Sequence, residues 1–424
     1  MAEVPGTADV VVVGGGVHGA SVAYHLARRK VGRVVLVERK FLASGPTGRS
    51  SALVRRFYAW DFLTRTASAS ADTFQRWADV IGGPDEPGFR QVGALWLAGA
   101  DTAPHLRENV RRARELGARV DLLAPEDVLR LVPELSVDDV VAGAHEPESG
   151  YADPSSTTSA LVNRARALGA TIVQYVAVEA LLADGKRVTG VRTTQGTISA
   201  PAVVVCAGLW ADRLIRPLGI EVPVTPQRHQ MCFFRRPPEF ASHPAILDRP
   251  HGAYMRPETG NLTIHGLSTY DDVVDPDSYN EGADPGEILR NAELIAQRFP
   301  CMEHGLSMGG YSGVYDVTPD HEPVLGAIPE YVGLFADFGW SGHGFKHSPA
   351  IGDIMAELVL EGRAAGWDLA PLRWTRFREG DLLPPASGAS PPHPKLRPEL
   401  TPRPELKSRP ELKSRPDLKS RRTA

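Results

Sequence analysis

An α/β fold is what this 424-residue sequence predicts, and three observations predict it. Four consecutive valines at 10–13 leave a short strand with no polar face, as a sheet covered on both sides requires. Gly14-Gly15-Gly16-Val17-His18-Gly19 follows without a gap, and 20–29 has helical composition, with Val22, Ala23, Leu26 and Ala27 on one side. Residues 34–37 then read as a second buried strand, ending in Glu38. Strand, glycine turn, helix and strand in that order open a Rossmann-like, nucleotide-binding sheet.

The other elements follow in chain order. Residues 89–151 mix a strand-like 95–97 with a charged helix near 106–116. Residues 155–168 read as a helix in which Leu161, Ala165 and Leu168 recur. Short strands are expected at 171–178, 187–193 and 196–198, around the Asp184-Gly185 and Gln195-Gly196 turns. Residues 202–206 form another wholly apolar strand, followed by Ala207-Gly208. Residues 223–324 alternate strand-like and loop-like segments, 230–234 and 261–265 among them, as an inserted antiparallel domain does. A last buried strand at 334–338 precedes a glycine-rich loop at 339–346. Pro349 suits the first turn of a closing helix through Ile354, Leu358 and Val359. The expected division gives 1–88, 152–222 and 325–383 to the nucleotide-binding domain. It gives 89–151 and 223–324 to a second domain with a mixed, largely antiparallel sheet.

Residues 384–424 stand apart. Ten of the 36 prolines lie here, and Arg-Pro-Glu-Leu or Arg-Pro-Asp-Leu recurs near every six residues from Arg397. Proline in each unit blocks a continuous helix, and one leucine per unit buries too little to offset chain ordering, so a disordered tail is expected. From Lys395 onward there are ten Lys or Arg against four Asp or Glu, so the formal charge of -4 conceals a basic tail on an acidic body. An acidic body argues against nucleic acid as the main partner. No stretch reaches the length of apolar chain that spans a bilayer, and no basic, apolar and cleavage-site succession opens the chain. The three cysteines, Cys206, Cys232 and Cys301, have no metal-ligand spacing. A cytoplasmic protein is the expectation, with a homo-oligomer left open.

Gly14, Gly16 and Gly19 have separate tasks in a dinucleotide site. The first permits the turn, the second lets backbone approach a diphosphate, and the third permits close helix packing. The helix start supplies unpaired N–H groups and a favourable dipole for phosphate. Glu38 can accept from ribose hydroxyls and would repel an added 2'-phosphate. This fingerprint does not choose between NAD and FAD. The later returns to the first domain, at 202–206 and 339–346, favour a long cofactor held at both ends, hence FAD.

GGGVHG at 14–19, Glu38, VVVCAGLW at 203–210, YDVTPDHEPVLG at 315–326 and GWSGHGFKHSP at 339–349 together carry a resemblance. Over residues 8 to about 375 the sequence resembles the D-amino acid oxidase superfamily, in its sarcosine oxidase and dimethylglycine dehydrogenase branch. The resemblance implies a Rossmann-like FAD-binding domain interleaved with an antiparallel-sheet substrate domain. It implies oxidation of an amine beside a carboxylate, with sarcosine leading. Hydride passes to flavin N5, and water then releases formaldehyde and the demethylated amino acid. Glycine, proline, a D-amino acid or a 2-hydroxy acid as substrate, and a non-catalytic flavin-binding subunit, are the alternatives. The resemblance implies cofactor contacts from Gly14, Gly16, Val17, His18, Gly19, Glu38, Arg39, Ser50, Ser51, Val178, Ala207, Gly208, Trp210, Gly313, Gly342, His343, Gly344, Phe345 and Lys346. Lys346 corresponds to the lysine that holds the substrate carboxylate, supported by Tyr315 and Arg55, with His343 close to the flavin. Arg56 is expected to face solvent. Gly93, Met231, Tyr254, Met255 and Arg256 are further pocket candidates that no spacing rule ranks.

Two departures from the family pattern matter. The position of the flavin-linking cysteine of the monomeric sarcosine oxidases is Gly313 here, which implies non-covalent FAD. The position of their oxygen-activating lysine is Thr263, which supplies no positive charge. Strand alternation puts His265 on the same face as Thr263, so a protonated His265 is the substitute considered. This favours a dehydrogenase with another electron acceptor over an oxygen-using oxidase.

Overall fold

The computed structural model describes residues 4–268 and 272–383; the expected disordered tail at 384–424 lies outside the described residues. Two large sheets organise the body. The first has six strands in the order Val324–Ala327, Leu334–Phe338, Ala202–Val205, Val10–Val13, Val34–Glu38 and Thr171–Gln174. All its pairings are parallel except that of Val324–Ala327 with Leu334–Phe338. The valine run explains itself by alternation. Val10 and Val12 face one layer with Val34 and Leu36, while Val11 and Val13 face the other with Val35 and Val37.

The two covering layers differ. On one face lie the helices Val17–Arg28, Asp61–Gln75, Pro154–Ala167 and Ser348–Glu361, so Val17–Arg28 is buried on nearly every side. On the other face lies a three-stranded antiparallel meander, Val178–Asp184, Arg187–Thr193 and Gly196–Ser199, which contributes Leu181, Val188, Val191 and Ile198. Complete burial of side chains such as Val12 and Leu36 stabilises the layers by about 1.5–3 kcal/mol each.

The second sheet has eight strands, in the order Leu306–Val317, Thr225–Arg235, Leu262–Leu267, Ala253–Glu258, Ala245–Asp248, Ala94–Ala98, Ala142–Glu146 and Asp121–Leu123. Only the pairing of Ala245–Asp248 with Ala94–Ala98 is parallel. Helix Pro285–Arg298 packs on one face with Cys232, Phe234, Met255, Ile295 and Phe299. The other face presents Trp96, Met231, Tyr254 and Tyr315. The strands of the two sheets interleave along the chain, so each sheet is assembled from distant segments. No helix among the described residues is long and apolar enough to cross a membrane.

Candidate active site

The glycine turn is held by contacts that leave no room for a side chain. Gly14 has φ +111°, and a Cβ there would lie 2.5 Å from the Cys206 carbonyl oxygen. A Cβ on Gly19 would come within 2.0 Å of the Gly14 carbonyl oxygen. Helix Val17–Arg28 then starts with no side-chain cap from Gly16, and the Val17 N–H donates to Thr47 Oγ1 at 3.2 Å. Its first turn therefore faces a cavity of about 440 Å³. The cavity walls run from Glu38 and Arg39 past Gly14, Gly16, Val17, His18, Ser50, Val178, Ala207, Gly208 and Trp210 to Tyr315, Gly342, Gly344 and Phe345.

At one end Glu38 is buried and accepts from the Gly15 N–H at 2.7 Å and the Lys40 N–H at 2.8 Å. The Arg39 guanidinium lies 3.7 Å over the Trp210 ring. Asp277, on the segment after the Leu262–Leu267 strand, accepts from Arg39 at 3.1 Å, from Trp210 Nε1 at 2.9 Å, and from Arg213. Thr47, Arg49 and Tyr279 also line this cavity. Sequence reasoning missed them because Thr47 and Arg49 lie in a single 3-10 turn, Pro46–Arg49, and Tyr279 in an irregular segment, neither of which carries a periodic signal.

The glycine-rich loop closes the other end. Asp316 Oδ2 accepts from the Gly339 N–H at 2.7 Å, which fastens the loop to the end of the long Leu306–Val317 strand. Burial raises the Asp316 pKa. Gly342 lies against the Tyr315 ring, where a Cβ would approach Cε2 to 2.5 Å. His18 joins the loop to the first helix: Nδ1 meets the Asp337 carboxylate at 3.0 Å and Nε2 meets the Gly344 carbonyl oxygen at 3.0 Å. His343 is half-buried, its Nε2 bonded to the His321 carbonyl at 3.0 Å; burial first, and Lys346 second, lower its pKa to about 3.

Beyond Tyr315 the second sheet supplies an aromatic chamber. Tyr254 Oη lies 3.2 Å from Tyr315 Oη and 2.7 Å from His229 Nε2, and it donates to Met231 Sδ at 3.0 Å. His229 stacks on Tyr315 with centroids 4.6 Å apart. Two buried cations lie over one ring, that of Tyr58: the Arg55 guanidinium at 3.9 Å and Lys346 Nζ at 5.7 Å. Arg55 also lies 4.6 Å over Trp96 and donates to the Phe57 carbonyl. Lys346 Nζ donates to the His343 carbonyl at 3.0 Å. Neither cation has an ion pair among the described residues. Burial, and then Arg55, push the Lys346 pKa well down.

Other expected residues lie elsewhere. His265 is fully buried on the opposite face of the sheet, its Nδ1 bonded to Asn291 Oδ1 of helix Pro285–Arg298 at 2.6 Å. Burial lowers its pKa to about 4, so it is neither near the chamber nor charged. Thr263 is on that same face, 2.9 Å from His243 Nε2. The chamber side of the strand instead carries Gly266, against which Met231 and Tyr254 pack. Met255 packs with the helix face, while Arg256 donates to the Ser51 carbonyl at 2.6 Å; Ser50 lines the cavity and Ser51 does not. Gly313 lies under Arg49, and Gly93 donates its N–H to the Ser149 carbonyl at 2.9 Å. Arg56 does not face solvent. It is buried and pairs with Asp72 at 2.7 Å. Tyr58, Trp96 and His229 were not anticipated: Tyr58 and Trp96 meet through Arg55 and His229 stacks on Tyr315, and no spacing in the chain links them.

Comparison with known proteins places this geometry. The family described as "FAD dependent oxidoreductase" matches residues 9–358. The chain is 28% identical over 372 residues to mitochondrial sarcosine dehydrogenase of Mus musculus, covering 85% of this chain but 40% of that protein. It is also 28% identical over 401 residues to sarcosine oxidase subunit beta of Arthrobacter sp, covering 91% of this chain and 95% of that one. Among solved structures, L-proline dehydrogenase from P. horikoshii superposes with a TM-score of 0.83 at 26% identity, covering 90% of this chain and 100% of that chain. The chain thus spans well under half of the mouse relative. The likeness extends beyond the sarcosine and dimethylglycine branch to an enzyme of proline.

Proposed function

Since the chain belongs to the FAD dependent oxidoreductase family, we propose that it oxidises a small secondary amino acid, with sarcosine and proline as the type substrates. Both are secondary amines beside a carboxylate, the feature common to the substrates named by the sarcosine and proline relatives. The observation that carries the proposal is the pair of buried cations, Arg55 and Lys346, over Tyr58, with Arg55 also over Trp96 of the second sheet. A buried cation without a close ion pair is costly, the buried Glu146 carboxylate acting on Lys346 only from beyond contact distance, and an incoming carboxylate offsets that cost.

FAD fits the residues present. The crowded Gly14 and Gly19 positions, the helix start that lines the cavity and the cavity reaching from Glu38 to Gly344 suit a diphosphate with a nucleoside at one end and a ring system at the other. The helix start would hold the diphosphate, Glu38 the ribose, and residues 339–346 the ring; when bound, the flavin supplies a two-electron acceptor for hydride from the carbon beside the amine. The protein's own part is positional. Lys346 and Arg55 fix the carboxylate by charge-assisted bonds. Their combined charge also disfavours a substrate ammonium, so the neutral amine is selected. Tyr254, His229, Met231 and Tyr315 wall the chamber and exclude water.

We further propose a dehydrogenase. The chamber face of the Leu262–Leu267 strand carries Gly266 and no cation, so nothing from this strand would stabilise developing superoxide. Rapid reoxidation of the substrate-reduced protein by an artificial acceptor, and slow reoxidation by air, is the expected result; fast reoxidation by air overturns this part. FAD is held non-covalently on this proposal, because Gly313 offers no side chain and Cys206, which lines the cavity, is kept a protonated thiol by burial. Yellow colour should leave the protein on acid precipitation, and a yellow pellet would show otherwise.

A further inference from the structure

Both ring nitrogens of His18 face acceptors. Nδ1 lies 3.0 Å from the Asp337 carboxylate, and Nε2 lies 3.0 Å from the Gly344 carbonyl oxygen. A carbonyl has no proton to give and an ionised carboxylate only accepts. A neutral imidazole carries one N–H, so it satisfies one partner and turns a lone pair on the other. Two donors require the imidazolium. The surroundings agree. Burial alone would lower the His18 pKa, but Asp337, the Gly344 carbonyl and Asp316 together raise it above 6.5.

The carboxylate is itself fixed. Trp340 Nε1 donates to Asp337 Oδ1 at 2.8 Å, and the Trp340 ring lies 4.7 Å from that of His18. The two partners of His18 belong to different parts of the cavity wall. His18 is the second residue of the helix whose start follows the glycine turn. Gly344 belongs to the loop that ends at Lys346, and Lys346 Nζ in turn donates to the carbonyl of His343 beside it.

We propose that His18 is a protonated clasp that ties the phosphate-facing helix start to the Lys346 loop, so that losing one proton frees the loop. A neutral His18 would keep its N–H on the charged Asp337 and lose Gly344. Other groups around His18 do not supply the missing proton. Asp316, from the long strand, favours the cation; the His347 imidazole and the Cys206 thiol are buried and uncharged. His18 is on this account a positioning residue, and the inference rests on the proposed use of the cavity for FAD.

The test compares the wild-type chain with His18→Phe and Asp337→Asn. Phenylalanine keeps the stacking on Trp340 and removes both bonds. Asparagine can donate to Nδ1 while still accepting from Trp340, so a neutral His18 with its proton on Nε2 then spans both contacts. FAD dissociation constants are read by flavin fluorescence from about pH 6 to about pH 9.5, around and above the ordinary histidine range. Amide hydrogen exchange over 339–346, corrected for intrinsic rates, is read on both FAD-loaded and FAD-free protein. The wild type should lose affinity on the order of tenfold as pH rises, the scale of one charge-assisted hydrogen bond. Its loop exchange should accelerate over the same range. Asp337→Asn should be flat in both readouts, and His18→Phe weak and fast-exchanging at every pH. Wild-type affinity and loop protection in His18→Phe, or a wild-type pH profile in Asp337→Asn, overturns the clasp. Should His18→Phe not fold, Asp337→Asn decides alone. Should the wild type take up no FAD, the cofactor reading falls, while exchange on the FAD-free chain still decides the clasp.

Discussion

Burial and then Arg55 work against a positive charge on Lys346, with Glu146 opposing them, so it loses its proton at a pH well below the ordinary lysine value of 10.5. Carboxylate binding needs the ammonium. The Michaelis constant should therefore be lowest below that depressed pKa and rise as pH passes through it. Lys346→Met should raise the constant on the order of a hundredfold, with a smaller change in kcat, and should lack the alkaline rise. Comparing the two pH profiles separates this limb from titration of the substrate amine; coincident profiles would remove Lys346 from the site. Lys346 and Tyr315 could be singled out in the sequence because each stands within a compact motif, whereas Arg55 was singled out only by the family resemblance. His265 shows where that legibility stops. Alternation correctly paired it with Thr263, but which face met the chamber depended on helix Pro285–Arg298, which has no partner visible in the local sequence.

That helix depends on one buried charge cluster. Arg298 is 1% exposed and Asp248 fully buried; Nε and Nη2 meet the two carboxylate oxygens at 2.7 and 2.8 Å, and Nη1 meets Asp139 at 2.8 Å. Arg298→Met leaves the buried Asp248 with His251 as its remaining partner and should lower the unfolding free energy by about 3 kcal/mol, read from urea midpoints. An unchanged midpoint would contradict the anchoring role. Burial alone would raise the Asp248 pKa, but His251 and Arg298 hold it below 3.8. Its stabilising contribution is therefore present above that value and is lost as pH falls through the depressed pKa. The valine strands and the glycine turn were legible because their burial is written into a few consecutive residues. Helix Asp61–Gln75 was not singled out, although Phe62, Leu63, Ala67, Ala71 and Phe74 recur on its buried face; Thr64, Thr66 and Ser70, buried beside them, dilute that pattern.

Across the whole molecule, two sheets built from interleaved segments bring residues hundreds of positions apart into one wall. His18 meets Asp337 and Gly344, and Tyr315 meets Tyr254 and His229. The family is shown by the match over residues 9–358, and the chamber is what supports the proposed substrate class. The proposal takes in proline beside sarcosine, since both are secondary amines beside a carboxylate. Anaerobic mixing of the flavin-loaded protein with sarcosine and with proline tests this most directly. The account predicts that the flavin absorbance near 450 nm bleaches with at least one of the two, with a 2-hydroxy acid leaving it unchanged. Persistent absorbance with both amines, or bleaching by the 2-hydroxy acid alone, would contradict it.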